Sequence, residues 1–247
     1  MNELERIEAL AYRQVNESAD GGEVADVRGG VCLAIPAVRS PEVNRVAGVT
    51  DDLDLDAVAA FFAAHGVPYM VSVPPGLDRL EGNLRERGYA PGYAWMKFER
   101  DTSPPAETAT DLRFEETADA AAFGLVGGET FAGSAEHAGF FENLVGLPGW
   151  HCFVGWDGDE PAAAGALFVD GDVGWVGIGA TRERFRRRGA QSAILSARIA
   201  KARGLGLRLL VTETGERQPD RPAGSYRNIL RAGFREAYLR ANWRPAS

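Results

Sequence analysis

Five arginines fall between Arg182 and Arg188 in the stretch "RERFRRRGAQ", and Gly189, Ala190, Gln191 and Ser192 follow them at once. An apolar run, "VGWVGIGAT", precedes the cluster, and a helix-like run, "AQSAILSARIAKARG", follows it. A positive cluster at such a junction suits an anion, because the first turn of a helix offers unpaired amide N–H groups and a partial positive charge. Gly189 permits close approach of a bound group, and arginines add charge-assisted hydrogen bonds to phosphate oxygens. The expected chemistry is anion binding by Arg186, Arg187 and Arg188 with the amides of Gly189, Ala190, Gln191 and Ser192. Arg182 and Arg184 would only raise the local potential. A solvated basic turn is the plain alternative. Nucleic-acid binding would call for a basic domain with interleaved aromatics, whereas this chain has a net charge of -8 and only Phe185 inside the cluster.

The charge is polarised along the chain. Residues 1–105 carry 17 acids and 10 bases, residues 106–181 carry 13 acids and only Arg113, and residues 182–247 carry 16 bases against 5 acids. This is either a binding polarity, anion at the C-terminal third and cation near the acidic block, or two blocks that neutralise each other. The 247 residues suit one large or two small domains. No run approaches the roughly 18 apolar residues of a membrane span, and the N-terminus is acidic where a signal peptide is basic, so a cytoplasmic location is expected. Cys32 and Cys152 lie in apolar runs without metal spacing and read as buried reduced thiols rather than a catalytic pair; no metal is expected.

Elements that position the cluster follow from periodicity and punctuation. "RDTSPPAETATD" interrupts the apolar pattern with Pro104 and Pro105, giving a domain at 1–102, a linker at 103–110 and a domain at 111–247. In the second part "LRFEE" reads as a strand, "TADAAAFGLVGGETFA" and "AEHAGFFENLV" as helices, and "WHCFVGW", "PAAAGALFV" and "VGWVGIGAT" as strands. The long helix after the arginines would bury Ala193, Ile194, Ala197 and Ala200 and stop at Gly204; "LRLLVTET", "SYRNILRAG" and "REAYLRANW" follow as strand, helix and strand. Gly177 and Gly179 mark either a bulge and close backbone approach or tight packing beside Trp175. The first part repeats the closing order, with Gly66 for Gly204 and Gly88-Tyr89 for Gly233-Phe234. Before its helix, however, it has "GVTDDLDLDAV", whose aspartates favour a helix N-terminus and repel an anion.

"GIGATRERFRRRGAQSAIL" followed by "SYRNILRAGFREAYLRANW" resembles the two signature segments of the GNAT superfamily of acyl-CoA-dependent N-acetyltransferases. The family loop Arg/Gln-x-x-Gly-x-Gly/Ala falls on Arg186, Gly189 and Gln191, the last standing where the family has a small residue. The resemblance implies an α/β (α+β layered) GNAT fold, a mixed central sheet with splayed strands flanked by helices, here as two GNAT-like units in tandem with a degenerate first copy. It implies acetyl-CoA as cosubstrate, with the pantetheine arm on amides of Gly179, Ala180 and Thr181. Asn228 would contact the cosubstrate or cap a local turn.

Acetyl transfer to an amine needs a base, an oxyanion donor and an acid for the departing thiolate. The family tyrosine lies four residues before the Gly-Phe pair, where this chain has Ile229, so Tyr226 is the nearest candidate acid. Glu213 and Glu129 are the candidate bases; His137 and His151 are further ionisable groups. The acidic block points to a primary amine on a cationic small molecule or peptide, with no nucleic-acid or membrane partner and with a homodimer left open. The missing tyrosine keeps a second reading in play, a non-catalytic acyl-CoA-binding sensor module.

Overall fold

A computed structural model describes residues 1–105, 107–132, 138–219 and 223–246. Contacts divide the chain into two compact units that interleave along the sequence. Unit 1 comprises Met1–Lys97, Thr214–Glu216 and Ala237–Ser247, and unit 2 comprises Phe98–Glu213 and Arg217–Glu236. The division of the chain therefore first falls after Lys97 and not within the expected 103–110 linker. The stretch Phe98–Glu213 belongs to unit 2, where Thr110 Oγ1 donates to the Arg188 carbonyl at 2.8 Å. The final strand leaves the second sequence half to complete the first unit.

Unit 1 contains α1 (Glu3–Ser18), β1 (Glu23–Val27), β2 (Gly30–Ala34), β3 (Arg45–Ala47), α2 (Leu55–His65), β4 (Met70–Val73), α3 (Asp78–Glu86) and β5 (Tyr89–Pro91). β6 (Trp95–Arg100) straddles the division. β1, β2 and β3 are antiparallel neighbours, while β3 and β4 run parallel through Arg45–Met70 and Val46–Val71. Helix α2 forms because Asp54 caps it, accepting from the Ala57 amide at 3.1 Å, and Gly66 ends it at φ 62°. Its apolar stripe, Leu55, Val58 and Phe62, is buried in a core with Val46, Val71 and Trp243. The other aspartates around the start of α2 are engaged too: Asp51 accepts from the Leu80 amide, and Asp52 and Asp56 pair with Arg79 and Arg87.

Unit 2 contains β7 (Arg113–Glu116), α4 (Ala120–Gly127), α5 (Gly139–Glu142), β8 (Trp150–Asp157), β9 (Glu160–Asp170), β10 (Val173–Thr181), α6 (Ala190–Gly204) and α7 (Gly224–Arg231), together with β11 (Leu209–Gly215) up to Glu213. β12 (Arg235–Pro245) starts here and pairs with β4 and β5 in unit 1. β7 to β10 form an antiparallel meander, and β10 runs parallel to β11. Both units set a helix between two parallel strands, α2 between β3 and β4 and α6 between β10 and β11.

Three expectations change. The second helix of unit 2 is the short α5; the stretch before it, with His137, lies outside the described residues. Helix α6 buries Ala190, Ile194, Leu195, Arg198, Ile199 and Ala202, so the stripe is rotated from the alanines expected there and carries an arginine. Its last residue is Gly204, while the left-handed turn after it is made by Gly206, at φ 74°. Cys32 and Cys152 are free and buried, and burial pushes both thiols up to about 12. Among the described residues no helix is long and apolar enough to cross a membrane.

Candidate active site

The parallel ladder between β10 and β11 is short. It pairs Val173, Gly174 and Trp175 with Leu209, Leu210 and Val211, after which the register ends although both strands continue. On its other side β10 loses register with β9 between Gly177, opposite Ala166, and Ala180, opposite Ala164. Ile178 and Gly179 thus face the single residue Gly165, which is a bulge. Ile178 sits in the left-handed region at φ 52°, a conformation costly for a β-branched residue and therefore held by its surroundings. Both readings of Gly177 hold at once, because the Trp175 indole occupies the space a side chain would need while the bulge begins at the same residue.

The arginine stretch follows β10. A tight turn over Glu183–Phe185 buries Phe185, and Arg186 and Arg187 stand exposed. Arg187 and Gly189 both take left-handed backbone, at φ 66° and 79°, on either side of Arg188. Alternating handedness turns successive N–H groups toward one point, the geometry of an anion-binding nest, and α6 begins at the next residue. The amides of Gly189, Ala190, Gln191 and Ser192 are the ones the helix leaves unpaired. Gln191 Nε2 donates to Thr181 Oγ1 at 2.9 Å, tying the strand end to this turn.

The arginines are not equivalent. Arg188 Nη1 and Nη2 bind Asp157 at 2.7 and 3.0 Å, and Nε and Nη2 bind Asp111 at 3.1 and 2.6 Å, so its guanidinium is turned to carboxylates. That pairing raises the arginine and lowers both acids. Arg182 grips Glu129 at 2.7 and 3.1 Å and Glu160 at 3.0 Å, and Arg184 also pairs with Glu160. Among the described residues Arg186 and Arg187 form no ion pair. Much of the charge asymmetry accordingly cancels within unit 2, with Lys201–Glu116 and Arg208–Asp172 adding to it. If the nest holds a phosphate group, Arg186→Glu with Arg187→Glu should weaken that binding in calorimetry at least about tenfold, and Arg188→Gln should change it by under about threefold, its guanidinium being turned to Asp111 and Asp157. Equal losses would show that the three arginines act alike.

Gly189 serves two purposes. Its positive φ suits glycine, and a side chain there would run into the carbonyl of Ala109 from the segment expected to be a linker. The close approach that requires a glycine is therefore partly the chain's own.

The catalytic candidates are dispersed. Glu213, half-buried on β11 just beyond the end of the parallel ladder, accepts from Trp175 Nε1 at 3.1 and 3.0 Å through its two oxygens. Glu129 is held by Arg182. Tyr226 is buried on α7 and donates to Glu236 Oε1 at 2.6 Å; burial and that carboxylate push the phenol up to about 12. Asn228 accepts from Arg231 Nη1 at 3.0 Å on the same helix. His151 is paired after all, its Nδ1 lying 2.7 Å from Glu116 Oε1. Sequence reasoning missed Arg198, whose only local signal is its spacing of four from Ile194.

No protein-family profile matches the sequence, and no curated protein does either. Solved structures do. A GCN5-related N-acetyltransferase from Kribbella flavida is 17% identical, with a TM-score of 0.68 over 100% of this chain and 97% of its own. A GCN5-related N-acetyltransferase from Sphaerobacter thermophilus is 14% identical, with a TM-score of 0.61 over 97% and 90%. A tandem GNAT protein from the clavulanic acid biosynthesis pathway is 16% identical, with a TM-score of 0.58 over 89% and 80%. The chain therefore has the GNAT fold, a mixed sheet flanked by helices.

Proposed function

We propose that the protein is an acyl-CoA-dependent N-acetyltransferase that moves an acetyl group from acetyl-CoA to a primary amine of a cationic small molecule or peptide. The observation that carries the reading is the junction itself: a parallel pair that ends early, a bulge beyond it, and a nest at the start of α6. The residues suit the cosubstrate. Arg186, Arg187 and the amides of Gly189, Ala190, Gln191 and Ser192 would hold the pyrophosphate, and amides near Gly179, Ala180 and Thr181 would hold the pantetheine arm. In the first unit the start of α2 carries acids, which repel an anion there.

In the reaction the amine nitrogen attacks the thioester carbon, forming the C–N bond while the carbonyl pair moves to oxygen. That pair then returns and expels the thiolate, and the proton lost by the amine passes to a base. A backbone N–H at the bulge would bind the oxyanion, and holding both reactants together already removes part of the barrier. Glu213, at the edge of the opened ladder, is our candidate base, directly or through water. Tyr226 suits the acid role poorly, since its hydroxyl already donates to Glu236 and burial with that carboxylate pushes the phenol further above an ordinary thiol. We expect Glu213→Gln to lower kcat roughly 100-fold and Tyr226→Phe to leave it within about threefold. The reverse order in thiol-release assays would exchange their roles.

The engaged Tyr226 hydroxyl, with Ile229 at the family position, favours a second reading: a non-catalytic acyl-CoA sensor. Calorimetry with acetyl-CoA and thiol release across an amine panel test both. Binding with turnover supports the transferase, binding without turnover on any amine supports the sensor, and no binding sinks both. Turnover restricted to neutral or anionic amines would remove the cationic acceptor.

A further inference from the structure

Arg198 is 2% exposed on the inner face of α6, and no carboxylate among the described residues pairs with it. Burial without a counter-ion draws its pKa down to about 9, still charged at neutral pH. Its partners are carbonyls: Nε donates to Ile194 O at 3.0 Å, and Nη1 to Gly177 O at 2.8 Å and Ala166 O at 3.2 Å. Glycines make its room on both strands. A Cβ on Gly165, opposite the bulge, would lie 2.9 Å from its Cζ, and one on Gly179, within the bulge, 3.5 Å from Nη2. An isolated charge is costly to bury, so a site that holds one at a bulge is built around it.

The bonded carbonyl decides what that charge does. Gly177 O and the Ile178 N–H belong to one trans peptide and point in opposite directions. Gly177 O meets Arg198 together with Ala166 O of β9, whereas the preceding carbonyl, Val176 O, accepts from Thr212 Oγ1 of β11 at 2.7 Å. The Ile178 N–H therefore turns toward the β11 side, beyond the end of the parallel ladder. We propose that Arg198 is a positioning residue for acyl transfer: bonded to the Gly177 carbonyl, it fixes the bulge and polarises the Gly177–Ile178 peptide so that the Ile178 N–H binds the developing oxyanion more strongly. This rests on the transferase reading above. A cation on the carbonyl end of a peptide strengthens the N–H at its other end, as hydrogen bonds in chains polarise one another. Such a fixed donor acts where charge develops, so its effect falls on kcat and spares ground-state binding.

Arg198→Gln keeps an N–H donor and removes the charge, while Arg198→Lys keeps the charge. Gln is expected to lower kcat roughly tenfold or more with the acetyl-CoA Kd unchanged within about twofold, and Lys to recover kcat to within about threefold of wild type. The Ile178 amide proton should shift upfield in the Gln variant in NMR spectra of the unliganded protein, and much less in the Lys variant. Should Gln fail to fold, Gly165→Ala displaces the guanidinium and is expected to lower kcat in the same way. Unchanged kcat in Gln, equal kcat losses in Gln and Lys, or a Kd rising in step with the loss would overturn the proposal. A wild type that acetylates no amine would sink the transferase reading instead; the NMR arm then stands alone, and an unmoved Ile178 amide would overturn the role of Arg198 independently.

Discussion

Gly189→Val is expected to reduce acetyl-CoA affinity at least about 100-fold, the largest single loss at the anion site, because it removes a nest of donors rather than one contact. Three facts meet at this residue. Its φ of 79° is a conformation that β-branched residues avoid, its side-chain position is filled by the Ala109 carbonyl, and it caps α6 through its backbone. Valine would push Ala109 away or pull the turn out of left-handed geometry, and either movement redirects the amides of Gly189 and Ala190. A stability loss of about 2 kcal/mol or more should accompany it. Gly171→Val separates strain from binding, since Gly171 is also left-handed, at φ 62°, in the β9–β10 turn and has no atom within 4 Å of its side-chain position. It should lower stability and leave Kd alone. Calorimetry and denaturation on both variants give the answer, and a Gly189→Val protein that binds acetyl-CoA normally would place the phosphate elsewhere.

What could be read from the chain was local. The arginine–glycine stretch, the apolar strand before it and the helix after it are signalled by neighbours within a few residues, and the structure puts them in sequence order at one junction. The strand glycines are legible as a bulge for the same reason. Partners far along the chain are not. Nothing near Arg188 announces Asp111 or Asp157, so a phosphate ligand on paper is an ion-paired side chain in the fold. The same distance effect hides the carboxylate that holds the Tyr226 hydroxyl against reading from α7 alone. Arg198 is the instructive miss: on a helical stripe a charge argues for the solvent face, and only the carbonyls of Ala166 and Gly177 explain why this one points inward. The exchanged last strand is hidden for another reason, because an alternating run specifies a strand but not the sheet it joins.

The first unit carries the other large effect. Glu8 lies on α1, 2% exposed, and its carboxylate binds Lys97 Nζ at 2.6 Å, Arg45 Nη1 at 3.3 Å and Arg240 Nη2 at 2.9 Å. Glu5 joins the cluster through Arg240 at 3.0 Å and Tyr238 at 2.7 Å, and the guanidinium carbons of Arg45 and Arg240 lie 4.9 and 5.9 Å from the centre of the Trp95 ring. Two acids thus hold three cations in the interior of unit 1. Glu8→Gln preserves shape and removes the charge that all three share. A buried pair broken on one side costs about 3–5 kcal/mol, and we expect a loss at the upper end of that range in denaturant unfolding at neutral pH. The second change Lys97→Met should restore part of it by removing one cation that Glu8 no longer pairs, a coupling that two independent sites would lack. The pH dependence has a definite sign. Burial opposes the charged carboxylate, but the three cations outweigh it and hold Glu8 far below its ordinary 4.5, so its contribution is complete above that value and declines as pH falls below it. The gap between wild type and Glu8→Gln should accordingly be widest at neutral pH and narrow under acid. A constant gap would mean that packing around residue 8, and not its charge, stabilises the unit.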